Sequence, residues 1–366
     1  MPLSPKTRYQ LVRILPFGII WLITGVVFLL SDKMAIGNNP VLEGAINPNG
    51  EIFFFACIAV TVMGLLVGFL EVVFINRLFT QQVLWKKVAY KFLLYTLLFS
   101  IVISIVYPMA AAIEMEVPLW KAEVWKRYAV FWGSLAFWST CLQLFFSLML
   151  SLFYGAISEN LGHSVLINFI TGKYNSPKQE ERFFMFVDMT ASTAIAEKLG
   201  HKRYFQLIQR YYEDLSNAII KHKGEVYQYV GDEIVITWPL ETGVEAANCI
   251  RCFYAMQEDL GKKTPAYEDR FGLVPRFKAG LHAGTVSIGE IGALKKEIVF
   301  TGDPLNVTAR IQGLCKELQK DFIISAAVIA QLPGYSNAFQ SLGTFPIKGR
   351  QAPMEVFHAN KEAFLP

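Results

Sequence analysis

Phe183 to Thr193 reads FFMFVDMTAST, and the organisation of the chain follows from how that stretch is parsed. The unbroken apolar run Phe183 to Val187 suits a strand buried on both faces, and it ends on a carboxylate, Asp188. Ser192 and Thr193 then open a helical pattern, so the backbone N–H groups just beyond Asp188 emerge from a helix N-terminus, a geometry that binds phosphate. A second helix is expected over about His201 to His222, followed by Gly224 and an alternating strand, Val226 to Val230. Gly231 and Asp232 mark a tight turn into another strand, Ile234 to Trp238. If that hairpin pairs beside the first strand, the carboxylate at its tip lies next to Asp188, and two aspartates so placed can share divalent cations. Taken singly, Asp188 reads as a helix cap and Asp232 as a turn residue.

Further on, Arg276 to Ile291 (RFKAGLHAGTVSIGEI) is strand-like, with Gly280, Gly284 and Gly289 spaced along it. No Gly-Lys-Ser/Thr and no G-x-G-x-x-G accompanies them, so they permit close packing or a bulge rather than cradle phosphate. After a strand at Ile298 to Phe300, Gly302-Asp303-Pro304 caps a helix carrying Asn306 and Arg310. Their i, i+4 spacing puts an amide and a guanidinium on one helix face, where a solvated surface pair is the plainer alternative.

Upstream the chemistry changes. The sequence holds 366 residues, room for about two domains, and 53% of it is hydrophobic, with 29 Phe. That apolar excess sits before about Gly155, in four stretches: Leu11 to Leu30, Ile52 to Ile75, Val88 to Ile113 and Ala129 to Ile157. Each is about 20 residues or longer, enough to cross a bilayer core of roughly 30 Å. The first lacks a small-x-small cleavage site and is followed by more spans, so it reads as an anchor and not a signal peptide. Lys6, Arg8 and Arg13 in the tail and Arg77, Lys86 and Lys87 in the second loop put those segments in the cytoplasm, opposite the acidic first loop with Asp32, Glu43 and Glu51. Four spans then return everything after Ile157 to the cytoplasm. Glu71 and Lys91 fall near the cytoplasmic ends, where they could pair or snorkel, and no midplane charge marks a transport path.

Eleven Lys/Arg stand against seven Asp/Glu up to Gly155, and twenty-three against twenty-three beyond it. The C-terminal half is therefore no basic nucleic-acid binder by bulk charge. Of the five cysteines, Cys249 and Cys252 form a C-x-x-C without a second pair or a nearby His, which fits buried thiols better than a zinc or redox site. The segment Ser158 to Glu181 joins the halves and is broken at Asn175-Ser176-Pro177, a place for coupling or a passive spacer.

Five motifs in order then resemble the class III nucleotidyl cyclases: F-x-D-M-x-x-S-T at Phe186 to Thr193, V-G-D-E at Val230 to Glu233, G-L-H-A-G at Gly280 to Gly284, G-D-P-L-N-V-T-A-R at Gly302 to Arg310, and I-K-G at Ile347 to Gly349. The resemblance implies an α-helical transmembrane bundle of four spans (residues 1–157), a coupling segment (158–181) and an α/β ferredoxin-like class III cyclase catalytic domain (182–366) working as a homodimer with substrate at the interface. By motif position Asp188 and Asp232 would hold two Mg²⁺ or Mn²⁺ per site, and Lys278, where the family has arginine, would meet the polyphosphate near Thr193. Asn306 and Arg310 would come from the other subunit, and Lys348 would hold the terminal phosphates. Gln228, four residues before Asp232, and Val299, seven before Asn306, stand where the family reads the purine. Neither is a guanine-reading residue, so ATP is expected as substrate and cyclic AMP as product, in a bacterial inner (plasma) membrane. GTP is the alternative on the same scaffold, and a silent nucleotide-binding receptor module is the alternative from another class.

Overall fold

The computed structural model describes residues 5–36, 44–47, 49–75, 84–347 and 352–364. The chain divides into two compact units, Met1–Ile167 and Asn168–Pro366.

The first unit is helical: α1 (Pro5–Ile36), α2 (Gly50–Phe69) running into a π-helical turn at Leu70–Ile75, α3 (Leu84–Glu114), α4 (Ala122–Phe131) and α5 (Leu135–Leu161). Among the described residues four helices are long and apolar enough to cross a membrane: Tyr9–Met34, Gly50–Ile75, Tyr90–Glu114 and Leu135–Leu161. The last begins later than the hydropathy suggests. The chain breaks at Trp132–Ser134, and the Ser134 hydroxyl caps α5 by accepting from the Phe137 N–H at 3.3 Å. Large apolar side chains such as Phe92, Leu97, Ile101, Phe145 and Phe153 are exposed, the outward hydrophobicity that a lipid environment requires. Polar groups turn inward instead. Trp21 Nε1 donates to Ser151 Oγ at 3.2 Å, Thr24 and Ser147 hydroxyls lie 2.8 Å apart, and Glu71 is buried, held by Lys91 Nζ at 2.8 Å and the Tyr95 hydroxyl at 2.6 Å. Glu71 and Lys91 therefore pair, as a charge at that depth must.

A short helix, α6 (His163–Ile170), precedes the strand that organises the second unit, β1 (Lys178–Met189). Then follow α7 (Ser192–Leu199), α8 (His201–Lys221), β2 (Glu225–Val230), β3 (Glu233–Pro239), α9 (Leu240–Val244), α10 (Asn248–Gly261), α11 (Thr264–Phe271) and β4 (Phe277–Ile291). The unit closes with β5 (Glu297–Thr301), α12 (Asp303–Glu317), β6 (Phe322–Ser325), α13 (Ala326–Ala330), β7 (Phe339–Phe345) and β8 (Met354–Ala359). Among the described residues the strands form one sheet in the order β2-β3-β1-β4-β6-β8-β7, with β5 paired to β4.

β1 is central because both of its faces are apolar, and successive side chains on a strand point to opposite faces. Phe183, Met185, Val187 and Met189 enter a core built with Tyr211 and Leu215 of α8 and Phe253 of α10. Phe184 and Phe186 enter a second core with Val235, Val286, Ile288 and Phe300. A third, smaller cluster packs Val307, Ile311 and Cys315 of α12 on Ile323 and Val356. β1 lies antiparallel between β3 and β4, so Asp188 is level with Glu233 on one side and Lys278 on the other. The cysteines are all free, and burial pushes the Cys249 thiol up to about 12 and the Cys252 thiol further, as inert core groups.

Candidate functional site

The end of β1 delivers Asp188, and the hairpin delivers Asp232. Gly231 takes the left-handed turn conformation at φ +64°, which lets β2 reverse into β3 within two residues. Tyr212 of α8 clasps that turn by donating its hydroxyl toward the Gly231 carbonyl (2.9 Å) and the Glu233 carbonyl (3.1 Å). The two aspartates are thereby crowded. Burial first, and then the like charge of Asp232, hold the Asp188 carboxyl up at about 6. Burial and both aspartates likewise raise Glu233. Two groups work the other way on Asp188: Gln312 Nε2 of α12 donates to its Oδ2 at 3.3 Å, and the Lys278 ammonium attracts it from the neighbouring strand.

One oxygen is left over. Asp232 Oδ2 is buried and has no hydrogen-bond partner. An orphaned carboxylate oxygen beside a second carboxylate fits a divalent cation, which would supply the missing partner and relieve the repulsion. Among the described residues no group of three or more His, Cys, Asp or Glu gathers as a metal cage. Two carboxylates with open positions is the donor set of a cation that completes its shell with water and substrate phosphate.

The remaining expected residues fall in three places. Thr193 is exposed in the first turn of α7, which begins four residues after Asp188, behind Ala191 in the left-handed conformation at φ +58°. Gln228 is exposed on edge strand β2 opposite Val235, and Val299 is half-buried on β5 opposite Gly289. Asn306 (exposed) and Arg310 (half-buried) lie on α12, and among the described residues neither makes a hydrogen bond or ion pair with Asp188 or Asp232. Lys348 lies outside the described residues. The structure thus brings together Asp188, Asp232 and Lys278 in one chain. It adds Gln312, which the motifs pass over; its only sequence signal is a place on α12 out of phase with Asn306 and Arg310.

With that geometry established, comparison with known proteins is decisive. The model of the adenylate and guanylate cyclase catalytic domain matches residues 175–360, half of the chain. The chain belongs to that family. Its C-terminal unit is a class III nucleotidyl cyclase domain, preceded by four apolar helices that fit a membrane anchor. Adenylate cyclase 2 of Rhizobium meliloti (strain 1021) is 37% identical over 202 residues, 55% of this chain and 55% of that protein. Adenylate cyclase 1 of the same organism is 29% identical over 185 residues, 49% of this chain and 27% of that protein. The chain thus spans about half, or less, of the curated relatives it matches. A bacterial light-regulated adenylyl cyclase structure superimposes with a TM-score of 0.51 at 22% identity, over 58% of this chain and 62% of that one, a likeness of fold. The crowded carboxylates Asp188 and Asp232 lie within the matched residues 175–360.

Proposed function

We propose that the chain is a membrane-anchored adenylate cyclase that converts ATP to 3′,5′-cyclic AMP and pyrophosphate at a homodimer interface. The observation that carries this reading is the crowded pair Asp188–Asp232, with a buried, unpartnered oxygen on Asp232 and with Lys278 attracting Asp188 from the neighbouring strand. Both aspartates would hold the Mg²⁺ or Mn²⁺ ions. When bound, two such ions would neutralise the triphosphate and favour ionisation of the ribose 3′-hydroxyl. Around them the chain's own groups act. Lys278 draws the polyphosphate to the strand ends, and the N–H groups at the start of α7, by Thr193, cradle a phosphate. The 3′-oxygen forms a bond to the α-phosphorus as the bond to pyrophosphate breaks and the hydroxyl proton departs. Arg310 suits the charge spread over the equatorial oxygens because its fork geometry is fixed, Asn306 orients the ribose, and Lys348 holds the terminal phosphates.

Asn306 and Arg310 are assigned to a pocket of the second copy because they do not engage their own chain's aspartates and remain accessible on α12. The exposed apolar side chains Tyr229, Val230, Ile291 and Leu294, on β2 and around the β4–β5 connection, favour a partner over solvent. Gln228 and Val299 would line the purine. A glutamine amide both donates and accepts, valine only packs, and neither offers a carboxylate to the guanine amino group. The membrane unit would place the N-terminus, the second loop and the cyclase domain in the cytoplasm of a bacterial inner membrane, with the segment around residues 158–181 as the coupling element.

The test is turnover of ATP and GTP in parallel by the full chain in lipid nanodiscs, with Mg²⁺ and with Mn²⁺. Cyclic AMP is expected as the main product. Faster cyclic GMP formation overturns the substrate assignment, and binding of nucleotide without either product makes the chain a silent receptor module.

A further inference from the structure

α12 has two faces with different duties. Its inner face is fixed by contact with β4. A Cβ built on Gly280 would meet Gln312 N at 2.5 Å, Gln312 Cα at 2.8 Å and Thr308 O at 2.8 Å, so helix backbone rests directly on the strand at that glycine. Thr308 is fully buried there, and Cys315 Sγ reaches the Ala279 carbonyl at 3.4 Å. Thr308, Gln312 and Cys315 therefore define the side that faces the sheet. At roughly 100° per residue, Arg310 lies about 200° around the helix from Gln312 and Asn306 about 240°. The two residues expected to serve catalysis therefore lie on the side of the helix turned away from β4.

We infer that Gln312 is a positioning residue for the cation site of its own chain, holding the Asp188 carboxylate from the inner face of α12 while the outer face presents Asn306 and Arg310 to a second copy. The inference rests on the cyclase reading above. Its direct support is the hydrogen bond from Gln312 Nε2 to Asp188 Oδ2 at 3.3 Å. An amide is the suitable group for the task. It donates to a carboxylate without adding a charge that would compete with the cation, and it opposes the push of Asp232. Because the helix backbone is pinned over Gly280, the amide is delivered from a fixed point, as groups behind metal ligands need to be. A consequence follows for the dimer: the same rigid helix that steadies the carboxylate in one pocket carries the guanidinium of the other.

The test is Mn²⁺ binding to the nucleotide-free full chain in nanodiscs, read by the electron paramagnetic resonance signal of free Mn²⁺ at pH 8. Gln312→Met keeps the length of the side chain and removes the donor, and should weaken binding about tenfold. Gln312→Glu keeps the shape and adds a carboxylate beside Asp188, and should tighten binding. Melting temperatures without cation establish that each variant is folded. A merely structural role moves both affinities the same way or neither, and either result overturns the inference. Asp188→Ala separates the two levels: if it too binds Mn²⁺ like the parent chain, the metal assignment itself fails; if it loses binding while both Gln312 variants behave as the parent, only the role of Gln312 fails.

Discussion

Gly280 and Gly313 sit at opposite ends of one question, how much room a methyl group has. At Gly280 a Cβ would lie 2.5 Å from the Gln312 backbone nitrogen, and neither partner is a flexible side-chain tip that can step aside. Gly280→Ala should therefore lift α12 from β4 and cost about 1–3 kcal/mol, an overpacking penalty. Gly313, in the same helix, has nothing within 4 Å of its Cβ position. Gly313→Ala should be neutral or stabilise by up to about 1 kcal/mol, since it only removes backbone freedom from the unfolded chain. Denaturant titration followed through Trp238, the one tryptophan after residue 138, measures both. Equal effects of the two substitutions would contradict the packing described for α12.

At the scale of elements, Arg182 ties four strands. It is 1% exposed on β1, donates Nε to Thr237 Oγ1 of β3 at 3.1 Å, pairs with Glu180 of β1 at 2.9 Å and with Glu225 of β2, and stacks its guanidinium 5.0 Å from the Phe300 ring of β5. A buried cation of this kind is costly to remove because its carboxylates are left behind. Arg182→Met should destabilise the cyclase unit by about 3 kcal/mol, and adding Glu180→Gln and Glu225→Gln should recover much of the loss. The pH dependence has a definite sign. Burial raises the Glu180 carboxyl, but hydrogen bonds from Arg182 and Tyr174 outweigh it and leave the group below its ordinary 4.5. A depressed folded value contributes stability that is complete above 4.5 and is lost as pH falls through the folded value. The gap between parent and Arg182→Met should accordingly narrow below pH 4.5 in the same denaturation assay. An unchanged gap would mean that Glu180 draws nothing from Arg182.

At the scale of the molecule, the proposed function divides the catalytic groups between two copies of the chain. Asp188→Ala and Arg310→Ala should each abolish turnover alone. Mixed, they should restore activity, because the two lesions can be segregated into one pocket of a heterodimer while the other pocket stays whole. The measurement is cyclic nucleotide formation after co-expression of the two variants with different affinity tags and purification through both. A heterodimer that is folded, paired and dead excludes a shared site. In that proposal the four apolar helices found among the described residues of each copy would hold two cyclase domains at high local concentration, as a site shared between chains requires.

Much of this was legible from residues alone. The run Phe183 to Val187 ending at Asp188, the Gly231-Asp232 turn and the four apolar spans were determined locally, because burial on two faces, left-handed turn geometry and bilayer thickness each leave a short-range pattern in the chain. The pairing of Glu71 with Lys91 could be anticipated for the same reason, that a buried charge needs a partner. What only the tertiary structure decided was contact between distant segments: the crowding that raises Asp188, the orphaned oxygen of Asp232, the Arg182 clamp, and Gln312 reaching back 124 positions to Asp188. No local pattern announces Gln312. Its role depends on the rotation of α12 about its axis, which is set by a missing side chain at Gly280 on another element.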